Sequence, residues 1–329
     1  MKRINIYTFQ NAINIGAFLQ AYSLLQNCSC AQVFFPYKFS LWGQKYDIIA
    51  KKPDKLLFNI RRYLKFLKSQ KVFNMKRCYD ADIAVVGSDS IWDITEKTSG
   101  YIPEMFGVNL RENKIISYAG SFGTLQDQNA LPEEAKLGLH KFDNILVRDE
   151  NSQRIISKLG ISSQIVLDPT LIYNYDAFLK DNKEHNYIMV YGGFDEQSIS
   201  QIKEIKEKTG LKLYSIGSFN RWCDKSIPVS PEEFVGYVKN ASYVITSMYH
   251  GSIFSMKYHK QFVSIFTEKR LVKAKTTFSL LGLEERILVN NDVNNMYTVL
   301  MKPIDFDIFE KRLSAMRQQS LLTLLSELK

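Results

Sequence analysis

Short apolar runs and stretches of helical periodicity alternate along this chain. Residues 2–9 read as a first strand; beyond Asn14-Ile-Gly16, apolar positions recur at Ala17, Leu19, Ala21, Leu24 and Leu25, which is the period of a helix. Apolar runs at 82–86, 114–119, 144–147 and 165–167 read as further strands. They end in polar turns: Gly87-Ser-Asp89-Ser-Ile-Trp92-Asp93, Gly120-Ser-Phe-Gly123, Arg148-Asp-Glu-Asn-Ser152 and Asp168-Pro169. A helix from Ser152 to Leu159 with Gly160 as its C-cap separates the last two. Buried strands with helices between them predict parallel β-α-β units.

A second set of the same kind follows. Strands are expected at 187–191, 212–216, 243–246 and 262–266, and helices at 196–208, 231–239, after 248, and at 271–281. Ser230-Pro231-Glu232-Glu233 supplies the cap, the N1 proline and the early acids of a helix start. A final amphipathic helix, 306–328, has no strand after it, and the polar stretch 173–186 reads as a linker. The expected organisation is therefore an N-terminal domain 1–175, a C-terminal domain 176–305 and a terminal helix 306–329. The length of 329 residues fits two domains better than one core.

In parallel sheets, ligands bind outside the carboxyl ends of strands, where the first N–H groups of the next helix face an anion. His250 in Met248-Tyr-His250-Gly251 sits at such a handover. It reads either as a proton-transfer group or as a residue that caps the helix and fills the core. The other loops offer Arg148, Asp89, Asp93, Lys269 and Arg270. No G-x-G-x-x-G follows the first strand, no P-loop occurs, and Gly87-Ser-Asp-Ser lacks the closing glycine of a hydrolase elbow. What remains is a cationic pocket with a histidine and carboxylates, suited to group transfer from an anionic donor.

The four cysteines form no C-x-x-C pair and no metal-ligand spacing, so no metal is expected. The N-terminus lacks a signal-peptide pattern and no stretch approaches a membrane span, which gives the expectation of a reduced, cytoplasmic protein. The net charge of +9 is concentrated in residues 51–77, which hold ten Lys/Arg against Asp54 alone. That concentration argues against nucleic acid. Leu56, Leu57, Ile60, Leu64, Phe66 and Leu67 lie among these charges at helical spacing. The segment reads as a basic amphipathic helix that suits an anionic membrane surface or lipid-linked substrate, or else as a solvated helix.

Several of these segments carry a resemblance. Asn14-Ile-Gly16-Ala-Phe-Leu-Gln20-Ala-Tyr-Ser-Leu24, Val86-Gly-Ser-Asp89-Ser-Ile-Trp92, Ser117-Tyr-Ala-Gly-Ser-Phe-Gly123, Val147-Arg148-Asp-Glu-Asn-Ser152, Leu159-Gly160, Leu167-Asp168-Pro169-Thr170 and Tyr249-His250-Gly251-Ser-Ile-Phe254 occur in the order seen in the polysaccharide pyruvyl transferase family. The resemblance implies a glycosyltransferase-B-like α/β fold of two Rossmann-type parallel-sheet domains, with the last helix crossing back to the first. It implies transfer of the pyruvyl group of phosphoenolpyruvate to two sugar hydroxyls as a cyclic ketal, without metal or nucleotide cofactor. It implies His250 and Asp89 as catalytic residues, and Arg148, His250, Gly251, Lys269 and Arg270 at the donor. Asn14, Gly16, Trp92 and Asp93 are expected on the acceptor side. The acceptor would be a sugar in a glycan or lipid-linked precursor, handled at the inner face of the membrane.

Trp92 has a second reading, as a core residue. His259 reads as a surface residue. Met248 departs from the family pattern, since many members carry arginine two residues before the histidine; Arg270 or Lys257 is expected to supply the missing cation. The competing readings are a nucleotide-sugar glycosyltransferase on the same scaffold and a non-catalytic sugar- or phosphate-binding protein.

Overall fold

The computed structural model describes residues 1–37, 53–96, 99–290 and 292–329. Each apolar run forms a strand because it is covered on both faces; the burial of Ile83–Val86 and Tyr187–Tyr191 is complete. In chain order the first half contains β1 (Arg3–Tyr7), α1 (Ile15–Asn27), β2 (Gln32–Phe34), α2 (Pro53–Ser69), β3 (Ile83–Val86), β4 (Lys114–Gly120), α3 (Glu133–Leu139), β5 (Asn144–Val147), α4 (Glu150–Lys158), β6 (Gln164–Ile165) and α5 (Pro169–Ile172). The second half contains β7 (Tyr187–Tyr191), α6 (Glu196–Thr209), β8 (Lys212–Ile216), β9 (Lys225–Ile227), α7 (Pro231–Asn240), β10 (Tyr243–Thr246), α8 (Tyr249–Lys257), β11 (Gln261–Phe266), α9 (Glu268–Leu281), β12 (Ile287–Val289), α10 (Met296–Met301) and α11 (Phe306–Glu327).

Two six-stranded sheets result, in the orders β2-β1-β3-β4-β5-β6 and β12-β11-β10-β7-β8-β9. The pairings are parallel, with Tyr7 beside Val86 and Thr246 beside both Tyr191 and Ser264. Strand order reverses between β1 and β3 in one sheet and between β7 and β10 in the other. Those reversals open the crevices where ligands bind in such sheets.

The sheets are joined through packing. Tyr175, fully buried, donates from its hydroxyl to Leu19 O on α1 at 2.7 Å and packs its ring 5.1 Å from Phe254 on α8. The terminal helix α11 returns to the first sheet, where Glu327 pairs with Lys114 at 2.9 Å. Helix α2 also reaches across: Arg62 donates to Gly217 O at 3.1 Å, Lys65 pairs with Glu233 at 2.6 Å, and Phe58 lies 5.5 Å from Phe219.

The basic segment thus forms the expected helix, but its faces differ from a simple basic surface. Arg62 and Lys65 turn toward the second half, while Leu57, Ile60, Leu64 and Leu67 face outward, 50%, 40%, 59% and 39% exposed. Lys51 and Lys52, part of the same charge cluster, lie outside the described residues. Among the described residues no helix is long and apolar enough to cross a membrane.

Candidate functional site

The carboxyl ends of β1, β3, β5, β10 and β11 bring Asn14, Asp89, Arg148, His250, Arg270 and Lys273 around one cavity of about 210 Å³. Local backbone chemistry sets each of them in place. Asn14 caps α1, accepting from Gly16 N at 2.9 Å and Ala17 N at 3.2 Å. Gly87 adopts φ +134°, and a Cβ there would meet Tyr118 O at 2.2 Å, so only glycine lets the β3 turn present Asp89.

Helix α8 starts at the cavity with His250 in its first turn. Its N-cap, Met248, makes no side-chain capping bond. Helix α7, by contrast, closes its start with a full capping box between Ser230 and Glu233. The first-turn N–H groups of α8 are therefore left for an anion or water. Gly251 does not line the cavity. A Cβ on it would meet Thr246 Oγ1 at 2.2 Å, so its role is close packing of α8 on β10.

His250 is 8% exposed, and its Nε2 is buried without a hydrogen-bond partner, 3.6 Å from Asp168 Oδ2. Asp168 is engaged elsewhere: it accepts from Arg148 Nη1 at 2.9 Å and from Thr170 N at 3.0 Å. Burial raises the Asp168 pKa, but the His250 and Arg148 beside it outweigh burial and hold the carboxyl well below its usual range.

Arg148 is 2% exposed, with its guanidinium 4.6 Å over the Tyr249 ring and Nη2 3.8 Å from Asp89 Oδ1. Its charge is thus largely answered by protein groups. Asp89 is likewise held below the ordinary carboxylate range, burial being outweighed by Arg148, His250 and Lys273. Burial pushes the Lys273 amine down, and Asp89 opposes that shift.

Arg270 occupies the neighbourhood of Met248. Its Nη1 donates to Ser247 O at 3.1 Å and stands 3.9 Å from the Met248 sulfur. A cation therefore reaches the position where the sequence lacks one. Lys257 does not share this task, because it lines a different cavity at the other end of α8.

Besides Gly251, the expected site residues Trp92, Asp93 and Lys269 are placed away from the cavity lining. Trp92 is fully buried, donates from Nε1 to Met105 O at 2.6 Å and packs 5.0 Å from Phe122, so no sugar can stack on it. Asp93, 1% exposed, holds its own loop by accepting from Thr95 N at 3.1 Å and Thr124 N at 2.7 Å. Lys269 is exposed and outside the cavity lining; Lys273, one helical turn beyond Arg270 on α9, lines it instead. His259 is exposed and pairs with Glu310 at 2.8 Å.

Sequence reasoning passed over Lys273, Glu96 and Asp168. Thr267, which caps α9 and is followed by Glu268, was the signal that the helix begins early enough to turn residue 273 inward. Among the described residues, no group of three or more His, Cys, Asp or Glu side chains is arranged to hold a metal ion.

The sequence model of the polysaccharide pyruvyl transferase family matches residues 14–266, more than half of the chain. The chain belongs to that family. It is accordingly a transferase acting in polysaccharide biosynthesis on a sugar-type substrate.

Solved structures agree on the fold. The chain is similar to the UDP-N-acetylglucosamine 2-epimerase from Rickettsia bellii, at 9% identity and a TM-score of 0.54, covering 99% of this chain and 96% of that one. It is similar to Arabidopsis thaliana UGT89C1 complexed with UDP-L-rhamnose, at 10% identity and 0.54, covering 99% and 98%. The Neisseria meningitidis UDP-GlcNAc 2-epimerase bound to UDP-GlcNAc matches at 12% identity and 0.52, covering 100% and 99%. These likenesses establish the glycosyltransferase-B-like architecture. Among curated proteins none matches the chain in sequence. In this member of the pyruvyl transferase family, His250, Asp89, Glu96, Arg270 and Lys273 line the cavity beside the buried Arg148.

Proposed function

We propose that the cavity takes phosphoenolpyruvate and that the chain transfers its pyruvyl group to two hydroxyls of a sugar, with no other cofactor. The observation that carries this reading is the histidine at an uncapped helix start with two cations, Arg270 and Lys273, beside it. Phosphoenolpyruvate presents a carboxylate and a phosphate, and each needs a positive partner. Arg270 and the α8 N–H groups suit one anion and Lys273 the other, while the Arg148–Asp168 pair holds the floor on which His250 rests.

The reaction balances simply. One proton goes to the methylene carbon, which becomes a methyl group; a sugar hydroxyl attacks the adjacent carbon; phosphate leaves; and the second hydroxyl closes the ketal. The two hydroxyl protons end on the methyl group and the phosphate. His250 is the proton donor to the methylene and Asp89 receives a hydroxyl proton. Asn14 and Gly16 lie on the acceptor side, at the start of α1.

The outward apolar stripe of α2, with Arg61 and Lys68 on its edge, lies in this reading on an anionic membrane surface that carries a lipid-linked acceptor. The enzyme would then work at the inner face of the membrane. Incubation with phosphoenolpyruvate and candidate glycans tests the function: acceptor-dependent phosphate release is expected. Turnover of a nucleotide sugar without phosphoenolpyruvate consumption would replace this reading with a glycosyltransferase.

A further inference from the structure

A second cavity, of about 470 Å³, opens at the other end of α8. That helix carries His250 in its first turn and Lys257 in its last, so about 10 Å of helix separates the two sites at 1.5 Å per residue. Lys239 from the end of α7, Lys257 from the last turn of α8 and Tyr258 just after it, Arg317 from α11, and Asn174 and Asp176 from the segment after α5 line it.

Lys239, Lys257, Arg317 and His259 meet Asp176 here, and Glu310, which pairs with His259 at 2.8 Å, adds a second carboxylate that acts on Lys257 from beyond the lining. Arg317 is fixed by its Nε, which donates to Leu171 O at 3.0 Å, and among the described residues its terminal nitrogens have no protein partner. The half-buried Lys257 amine stands 5.7 Å from the Tyr175 ring centroid and makes no ion pair among the described residues. Burial and the neighbouring Arg317 push this amine down to about 8. A bound anion would remove that strain on the charged form. The Tyr258 hydroxyl is buried and unpartnered.

We propose that this cavity is a second ligand site that takes a phosphorylated sugar, with Lys257, Arg317 and Lys239 around the phosphate and Asn174 and Asp176 at sugar hydroxyls. A phosphate alone leaves most of the space empty, since a water-sized group takes about 30 Å³. An amide and a carboxylate beside a cationic cluster match a ligand that is anionic at one end and rich in hydroxyls at the other. Occupancy would tie together the segment after α5, α8 and α11, the pieces that join the two sheets. The inference does not depend on what the first cavity binds.

Acetylation of Lys257 by an N-hydroxysuccinimide ester, followed on the full chain by peptide mass spectrometry, tests it. Glucose 1-phosphate at ten times its dissociation constant should slow modification about tenfold by mass action. Inorganic phosphate should protect only at higher concentration, glucose should not protect, and exposed Lys183 should react at an unchanged rate. Arg317→Gln should weaken the protection, whereas Arg270→Gln in the first cavity should leave it intact. Lys257 reactivity that ignores millimolar glucose 1-phosphate would overturn the site, as would protection that Arg270→Gln abolishes. Equal protection by inorganic phosphate would overturn the sugar assignment.

Discussion

Gly16 at the start of α1 lies against the His250 ring at the start of α8: a Cβ on residue 16 would stand 2.0 Å from Nδ1. The two halves of the chain thus meet at the proposed proton donor, and the contact is open only to glycine. Gly16→Ala should displace the ring without disturbing either sheet. A shift of about 1 Å at a reacting group costs on the order of 100-fold in rate, so kcat should fall by that factor with an unchanged circular dichroism spectrum. Full activity in this variant would remove His250 from the chemistry or show that the ring yields freely.

Arg148 and Asp168 form a buried pair, 2% and 1% exposed, and breaking such a pair from one side costs about 3–5 kcal/mol. Arg148→Ala and Asp168→Ala should therefore each lower the melting temperature strongly, and their loss of activity cannot by itself assign a role at the donor. The pH dependence has a definite sign. The folded Asp168 carboxyl titrates below its ordinary value of 3.8, so its stabilising contribution is complete above that value and is lost as pH falls through and below it. Asp168→Asn should flatten the acid limb of the stability curve. An acid limb as steep as that of the parent chain would show that other carboxylates govern it.

Arg270 and Lys273 are expected to hold the donor rather than the fold. Arg270 is exposed and Lys273 half-buried, so neither replacement opens a core. Charge-assisted hydrogen bonds contribute about 1.5–3 kcal/mol each, and Arg270→Gln or Lys273→Gln should raise KM for phosphoenolpyruvate about 10- to 100-fold with little change in melting temperature. Unchanged KM in both variants would move the donor away from α9.

On α2, Arg61 and Lys68 are exposed beside the Leu57, Ile60, Leu64 and Leu67 stripe, whereas Arg62 and Lys65 bond to the second half. Leu64→Gln with Arg61→Gln and Lys68→Gln should abolish sedimentation with phosphatidylglycerol vesicles and spare activity on a soluble acceptor. Lys65→Gln, which breaks a bridge between the halves, should act on stability instead. Vesicle binding that survives the triple replacement would make this a solvated face.

Much of this architecture was legible because parallel strands buried on both faces leave uninterrupted apolar runs, and the turns after Val86, Gly120, Val147 and Thr246 carry the polar residues. Short edge strands such as β2 and β9 left no such run, being three residues each. At the site, the pattern gave His250, Asp89, Arg148 and Arg270 but not Asp168, which stands against His250 and Arg148, or Lys273. Whether Trp92 faces sugar or core depends on Phe122 and Met105, which only the folded loop brings to it. The turn of Arg62 and Lys65 away from solvent depends on Gly217 and Glu233, more than 150 residues further on. Periodicity records that a helix has two faces, and the tertiary partner decides which face is covered.

The central claim is ketal transfer from phosphoenolpyruvate with protonation of its methylene carbon inside the His250 cavity. Its most direct test is mass spectrometry and NMR of an acceptor glycan turned over with phosphoenolpyruvate in deuterium oxide. The account predicts a pyruvyl ketal whose new methyl group carries one solvent deuterium, formed far more slowly by His250→Ala. An acceptor that gains a glycosyl group instead, or a pyruvyl group that keeps its methylene and takes no deuterium, would contradict it.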